Sequence, residues 1–453
     1  MLSNIKYHFT SLHWCFRVLT VLTFSYSSLT FGQTREQWVT ESGTKVIFVQ
    51  SVNLPMVDIV VDFSAGAAFD PPGKEGLARL TMRMLDKGTP ENDEHAIAAR
   101  LAATGSQMGG NFDLDRSGVS LRSLSYEETL ATSVRLFTEV LSQPNFPQSV
   151  VDREKEALIT SIRERNTRPA SVASRALSEA LFGQHPYRSS GAGTETTIQS
   201  LTVDDLVYFH ERFYRASNAS ITIVGNLTMK SAESIARQLS ENLPVGASER
   251  ESLEFTTPVS SQQEIVIPHD TEQAHIRIGM VGIQRGDPDH LPLVLGNQIL
   301  GGGGMTSILY DELREKRGMT YGVGSYFNPL RDPGPFVISF QTKQEQAWEA
   351  LDITTEILKN FIDNGPNAKQ VDQAKRYFIG AFALNVDSNG ELLNYYSNIN
   401  FYDLPLNYID SFSDRVTAVT VDQIKDAIKR RMSLDKAVSV IVGPTKLLDE
   451  PNG

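Results

Sequence analysis

Residues 201–206 read LTVDDL, residues 419–424 read VTVDQI, and the same ungapped alignment places residues 223–225 (IVG) on residues 441–443 (IVG). Thr202 therefore aligns with Thr420, at an offset of 218 residues. In each copy a threonine suited to cap a helix precedes an aspartate in the first turn, and a β-rich run that ends in glycine follows. A repeat at this spacing predicts two homologous halves.

Both halves also begin with strand patterns. The first half has β-rich runs at 45–49 and 57–63, and the second half has them at 264–267 and 274–280. Helical patterns follow each pair of runs, so each half mixes strands and helices. The sequence thus predicts an α+β fold with two homologous α/β-sandwich domains related by an internal repeat.

The repeat also suggests where the domains begin and end. The two domains are predicted at residues 33–245 and 264–453. Residues 246–263 are polar and without strong periodicity, which is typical of a linker between domains.

Composition excludes several classes of function. The 453-residue chain has 42 Lys and Arg against 54 Asp and Glu, a net charge of −12, so we expect no nucleic acid partner. It has eight histidines, and no two of them have the three- or four-residue spacing of two metal ligands on one helical face. Its one cysteine, Cys15, lies near the N-terminus, so cysteine chemistry is not expected in the mature chain.

The N-terminal segment has the pattern of a secretory signal peptide. Lys6 and Arg17 precede a short apolar run at 18–24, and small and polar residues follow as far as Gly32. A membrane anchor is the alternative, but it would need roughly 20 apolar residues. We therefore predict a signal peptide at residues 1–32, no stable membrane span after its removal, and export, to the periplasm if the protein is bacterial.

One segment carries a family resemblance. Residues 76–89 read GLARLTMRMLDKGT and resemble the zinc helix of the pitrilysin/insulinase family, in which a similar start and end enclose H-x-x-E-H. Where the family has His, Glu and His, this chain has Arg79, Met82 and Arg83. The third zinc ligand of the family, a glutamate on a later helix, aligns with Ser161, although Glu154 and other acidic residues lie nearby.

These replacements remove the chemistry of the motif. Two imidazoles four residues apart would bind zinc, and the glutamate would accept a proton from the attacking water. A guanidinium group has no lone pair to donate to a metal, and a thioether is not a base. The resemblance therefore implies a family member that binds no metal and is not an active enzyme by itself.

A second motif of the family remains in the second half. Residues 313–321 read LREKRGMTY and are similar to the segment in which an arginine and a tyrosine face the zinc site from the opposite domain. By this resemblance the two residues are Arg314 and Tyr321, which could donate hydrogen bonds to a peptide carbonyl as it becomes an oxyanion. The alternative is that Arg314 pairs with Asp311 or Glu315 and that Tyr321 packs at the start of a strand.

The family contains enzymes that divide these motifs between two related chains, and this pattern fits the zinc-free chain of such a pair. The resemblance implies a homologous partner with H-x-x-E-H and its zinc, no cofactor in this chain, and a peptide substrate. An edge strand near Asn111 and Phe112 could bind an extended peptide by strand addition, although the edge of the partner beside the zinc is the stronger candidate. The alternative is a non-enzymatic scaffold or binding protein with the same fold.

Overall fold

The strands form two sheets, one in each half of the chain. The computed structural model describes residues 34–244, 262–384 and 388–445. The strands in chain order are β1 Arg35–Val39, β2 Lys45–Gln50, β3 Met56–Phe63, β4 Gln107–Phe112, β5 Ser117–Leu124, β6 Ala219–Gly225, β7 Gln263–Pro268, β8 Gln273–Val281, β9 Val323–Phe327, β10 Pro335–Lys343 and β11 Val438–Gly443.

The two sheets have the same strand order. The first runs β1-β2-β6-β3-β5-β4 and the second runs β7-β11-β8-β10-β9, so the second repeats the first without its outer strand β1. In each sheet one pair is parallel, β2 with β6 and β7 with β11, and the other neighbours are antiparallel. The predicted α+β fold with an internal repeat is confirmed.

Fifteen α-helices lie in the described parts of the chain. They are α1 Leu77–Met84, α2 Glu94–Thr104, α3 Glu127–Ser142, α4 Gln148–Asn166, α5 Pro169–Phe182, α6 Glu195–Ser200, α7 Val203–Phe213, α8 Met229–Glu241, α9 His290–Asn297, α10 Ile308–Tyr310, α11 Ala347–Asn364, α12 Ala368–Leu384, α13 Asn389–Phe401, α14 Phe412–Ala418 and α15 Val421–Arg431. None of them combines the length and apolar character needed to cross a membrane.

The repeated sequence corresponds to a capped helix followed by a central strand, as predicted. Thr202 caps α7 and Thr420 caps α15, each in a capping box in which the third helical residue bonds back to the cap. The strands that follow, β6 and β11, are buried along their whole length. In both halves the capping residues and the pattern of apolar residues therefore indicate the same helix and the same strand.

The two halves exchange equivalent helices. Helix α5 of the first half packs on β8 and β11 of the second sheet, and helix α13 of the second half packs on β6 and β3 of the first sheet. Leu177 and Leu181 belong to one of the resulting apolar clusters, and Leu392 and Tyr396 belong to the other. Each sheet is thus covered on one face by helices of its own half and on the other by a helix of the opposite half.

Two predicted segments fall outside the described residues. They are the signal peptide at 1–32, which includes Cys15, and residues 246–261 of the linker. Strand β7 begins at Gln263, so the last residue of the predicted linker belongs to the second sheet. The boundaries of the domains themselves stay a prediction.

Candidate functional site

Helix α1 presents the three altered motif residues on one stripe. Its apolar residues, among them Leu77 and Leu80, are buried in the core of the first half. Arg79, Met82 and Arg83 are partly exposed or exposed, because positions three and four residues apart share a helical face. The three positions that the resemblance assigns to the family motif therefore lie on one side of α1.

The start of α1 is held by a carboxylate from outside the helix. Both carboxylate oxygens of Asp70 accept backbone N–H bonds of 2.7 Å, one from Gly76 and one from Ala78. These bonds satisfy donors that a helix N-terminus leaves unpaired. Burial raises the pKa of Asp70 to about 7, against the opposing effect of the two backbone bonds.

Arg79 is engaged on both sides. Its Nε donates a 2.8 Å hydrogen bond to the carbonyl oxygen of Gly191, and its guanidinium lies 4.6 Å from the ring centre of Phe112. Burial lowers the pKa of Arg79 from its ordinary value, and the charges of Arg165 and Arg83 lower it further. The first position of the motif is thus occupied by a cation that bridges a loop and strand β4.

Arg83 forms an ion pair with Glu154 of helix α4. Its Nε lies 3.0 Å from Oε2 of Glu154, and its Nη2 donates to the same oxygen. Glu154 is only 7% exposed and has a second arginine, Arg153, at 3.4 Å. Asp86, the acidic residue nearest to Arg83 in the sequence, pairs with Lys87 at 3.0 Å.

Met82, which the resemblance aligns with the family's catalytic glutamate, packs on the adjacent strand. A Cβ at Gly110 of β4 would come within 3.3 Å of the Met82 sulfur, so the two are in close contact. Met82, Arg83 and Glu154 line a cavity of about 260 Å³ beside this strand. Helix α1 thus borders a small cavity that has an ion pair and a thioether at its wall.

Ser161, predicted at the position of the third ligand, is half-buried on α4. It lies seven residues after Glu154, which is two helical turns or roughly 10.5 Å along the same face. In the described residues the acidic side chain of α4 that meets α1 is Glu154. Sequence reasoning noted Glu154 only as a neighbour, because the ion pair depends on how two distant helices pack.

The predicted peptide-binding edge lies at the margin of the first sheet. Strand β4 is the outermost strand and pairs only with β5. Asn111 donates from Nδ2 to Oδ1 of Asp62 at 3.2 Å, and Phe112 lies under Arg79. Both predicted side chains are therefore engaged within the fold, while the outer backbone edge of β4 faces away from the sheet.

Arg314 lies in the turn of π-helix at Asp311–Glu315 that continues α10. Its guanidinium is 4.9 Å from the ring centre of Tyr310 and 3.8 Å from the carboxylate of Glu315. Its side chain is 41% exposed. The pairing with Glu315 that the sequence allowed does occur, but at a separation that leaves the guanidinium able to donate elsewhere.

Tyr321 is one of the most exposed aromatic residues described, at 80%. It precedes β9, the edge strand of the second sheet, in a turn held by Thr320, whose hydroxyl accepts from the N–H of Gly322 at 3.1 Å. The alternative that Tyr321 packs at the start of a strand is wrong. In the described residues neither Arg314 nor Tyr321 has a hydrogen bond or ion pair with α1 or β4.

The residues at the motif do not fit a zinc ion. Two guanidinium groups and a thioether replace two imidazoles and a carboxylate, and cations repel a metal ion instead of binding it. Among the described residues, no three His, Cys, Asp or Glu side chains come together as a metal site would require.

The fold defines a class: an α+β protein of two similar halves, in which the helix that resembles the family's zinc helix has Arg79, Met82 and Arg83 at the motif positions. Comparisons with known proteins agree. Residues 45–195 match the family described as Insulinase (Peptidase family M16), and residues 200–378 match the Peptidase M16 inactive domain. The chain belongs to peptidase family M16, and these matches support a non-catalytic member of it.

Several relatives extend over nearly the whole chain. A crystal structure of a peptidase M16 inactive domain from Pseudomonas fluorescens is 36% identical, covers 91% of this chain and 98% of its own, and has a TM-score of 0.86. The non-peptidase homolog YmxG of Helicobacter pylori is 23% identical and covers 95% of this chain and 98% of its own. The periplasmic protease PqqL from Escherichia coli shares the fold at 15% identity and a TM-score of 0.77, over 91% of this chain and 46% of its own.

Proposed function

We propose that this chain is the zinc-free subunit of a two-chain M16 peptidase that cleaves peptides or unfolded segments. Its partner is a homologous subunit with an intact H-x-x-E-H helix, and the metal belongs to that partner. Arg314 and Tyr321 of this chain donate hydrogen bonds to the carbonyl oxygen of the scissile peptide bond as negative charge develops on it.

One observation carries the proposal. The Arg/Tyr motif is exposed and makes no polar contact with the altered helix α1 of its own chain, whereas the three altered positions on that helix are taken by Arg79, Met82 and Arg83. An exposed guanidinium and an exposed phenol could donate hydrogen bonds to a peptide held by a second chain, because these donors are not already engaged with α1 of this chain. The zinc and the H-x-x-E-H helix that we propose for the partner are inferred from the family relationship.

Peptide binding in the proposal uses strand addition. Among the strands that the structure describes, none pairs with the outer edge of β4 beside Asn111 and Phe112, and β9 is the corresponding edge in the second sheet. An extended peptide can pair with such an edge whatever its side chains are. The equivalent edge of the partner, beside the zinc, is the main substrate strand in this account.

The test is hydrolysis by the mixture of this chain and its zinc-binding partner. We expect Arg314→Ala to lower kcat by about a hundredfold, as the loss of one oxyanion donor does in other hydrolases. Tyr321→Phe removes only the hydroxyl and should lower kcat in the same direction.

Arg317→Ala is the matched control, because Arg317 lies three residues from Arg314 and is engaged with Glu312. It should leave hydrolysis near the wild-type rate. If the mixture hydrolyses peptides and Arg314→Ala changes nothing, the shared site is wrong.

A non-enzymatic binding protein is the second candidate. The engagement of Arg79 with Gly191 and of Arg83 with Glu154 favours it, because both arginines have acquired structural contacts. Under this candidate the two chains would associate, yet no residue of this chain would affect the rate of hydrolysis.

The proposal includes export. The signal-peptide pattern at residues 1–32 and the likeness in fold to a periplasmic protease support it. N-terminal sequencing of the mature protein should find a start near Gln33, and a mature chain that begins at Met1 would contradict export.

A further inference from the structure

In the described part of the chain, a groove between the two halves is lined by cations that have no carboxylate partner there. It has a volume of about 360 Å³ and runs between helix α5 and the second sheet. Three arginines line it, Arg165 of α4, Arg175 of α5 and Arg277 of β8, and none of its lining residues is acidic. We call it the basic groove.

The three arginines lack carboxylate partners in the described part of the chain. Arg165 donates to the carbonyl oxygen of Ser161 at 3.3 Å and Arg175 to the side-chain oxygen of Asn166 at 2.5 Å. Arg277 has no hydrogen bond or ion pair with the described residues. Several other arginines of the chain do have acidic partners, among them Arg430, which pairs with Asp289.

This grouping is unusual because the chain has 54 acidic residues against 42 basic ones. Arg165 and Arg175 both line the groove, and burial lowers the pKa of Arg165 while the charge of Arg175 lowers it further. Cations held together in a cleft attract anions, because the low-dielectric walls concentrate their field. The groove therefore favours a negatively charged ligand.

Hydroxyl groups line the same groove. Ser171, Ser174 and Ser178 lie at helical spacing on α5, so they form one stripe beside Arg175. Serine hydroxyls donate hydrogen bonds to carboxylate oxygens and add no opposing charge. Leu177 and Val337 add apolar surface.

An edge strand borders the groove. Tyr326 and Asn328, two residues apart at the end of β9, both line it, and β9 is the outer strand of the second sheet. Residues two apart on a strand share a face. A peptide added to this edge would project every second side chain toward that face.

We propose that the basic groove binds the acidic side chains of an extended peptide that pairs with the edge of β9. This names the class of peptide and rests on the peptide-binding part of the proposed function, but it requires neither the partner nor Arg314. A carboxylate at alternate positions of the peptide would meet the arginines and serines, and its backbone would pair with β9.

The test is fluorescence anisotropy with the isolated chain and labelled peptides that differ only in charge. A peptide with glutamate at alternate positions should bind, its affinity should fall as salt is raised, and the same peptide with glutamine should not bind. Arg175→Gln and Arg277→Gln should each weaken binding by roughly tenfold or more, the loss expected for a charged hydrogen-bonding group.

Two variants serve as controls. Arg175→Lys keeps the charge and should restore most of the affinity, and Arg135→Gln on the exposed surface of α3 should leave it unchanged. Arg175 is exposed, so Arg175→Gln should leave the fold intact. It still tests the groove if Arg277→Gln fails to fold.

Three results would overturn the inference: equal binding of the glutamine peptide, unchanged binding by both Arg175→Gln and Arg277→Gln, or binding of inorganic phosphate without binding of the acidic peptide. The last would assign the groove to a small anion. Because the partner is absent from this assay, failure here leaves the shared peptidase site standing, and failure of Arg314→Ala leaves the groove standing.

Discussion

At the scale of single residues, the proposed lack of zinc binding depends on three side chains that cannot bind a metal ion. Arg79 and Arg83 are cations with new contacts, to Gly191 and to Glu154, and Met82 packs on β4 at Gly110. The three positions that the resemblance assigns to the metal motif thus have structural contacts within this chain.

A buried histidine makes stability depend on pH. His210 is 5% exposed, and its Nε2 lies 2.9 Å from the carbonyl oxygen of Leu141. Burial lowers the pKa of His210 to about 4, against an ordinary value of 6.5. As pH falls below the ordinary value, the unfolded chain takes up a proton that the folded chain does not, so stability is lost between about pH 6.5 and pH 4.

We expect the lowered pKa of His210 to reduce the free energy of unfolding by about 2 kcal/mol when the pH is lowered from 7 to 5. Urea denaturation at the two pH values measures it. His210→Gln keeps a donor for Leu141 and should show a smaller loss than the wild type. His95→Gln, on the exposed surface of α2, is the control. An equal loss in His210→Gln and wild type would contradict the prediction.

The sequence predicted the identity of the altered positions but not their partners. Arg79, Met82 and Arg83 could be read from a short segment, because spacing alone puts them on one helical face. The ion pair with Glu154, 71 residues away, could not, because it depends on how α1 and α4 pack. The exposure of Tyr321 was likewise set by a turn that local patterns do not describe.

At the scale of elements, the repeat makes a prediction about capping. The hydroxyl of Thr202 accepts from the backbone N–H of Asp205 at 3.3 Å, and the hydroxyl of Thr420 accepts from that of Gln423 at 3.1 Å. Thr202→Ala and Thr420→Ala should each lower the free energy of unfolding by ~1 kcal/mol, because an alanine leaves a helix donor unpaired.

Thr202→Ser and Thr420→Ser keep the acceptor and serve as controls. Chemical denaturation of the four variants compares the caps directly. Serine variants as unstable as the alanine variants would show that the methyl group, and not the cap, carries the effect.

Strands and capped helices were predictable because their signals are local. The runs at 45–49, 57–63, 264–267 and 274–280 all lie within observed strands. The order of the strands in each sheet was not predictable, because pairing joins residues far apart in the chain, such as β2 with β6. The basic groove was not predictable for the same reason, because α5 and the second sheet come from distant parts of the chain.

At the scale of the whole molecule, the exchange of α5 and α13 joins the halves. Each helix fills the apolar face of the opposite sheet, with Leu177 among the residues on one and Tyr396 among those on the other. Neither half can bury its own sheet on both faces without the other. The repeat in the sequence predicted two similar halves, but nothing in it indicated that they share cores.

We expect the chain to unfold in a single cooperative transition. Urea denaturation followed by circular dichroism and by tryptophan fluorescence should give coincident curves. Leu177→Asp, which puts a charge into the interface of α5 with the second sheet, should destabilise both halves together. Two separate transitions in the wild type would contradict the shared cores.

We propose that this chain binds no metal of its own, so that any hydrolysis requires a companion chain. The most direct measurement is the metal content of the purified chain after incubation with zinc and removal of free ion, together with its peptidase activity alone. We predict that the purified chain holds far less than one zinc ion per chain and hydrolyses no peptide. One tightly bound zinc per chain, with hydrolysis that a chelator abolishes, would contradict it.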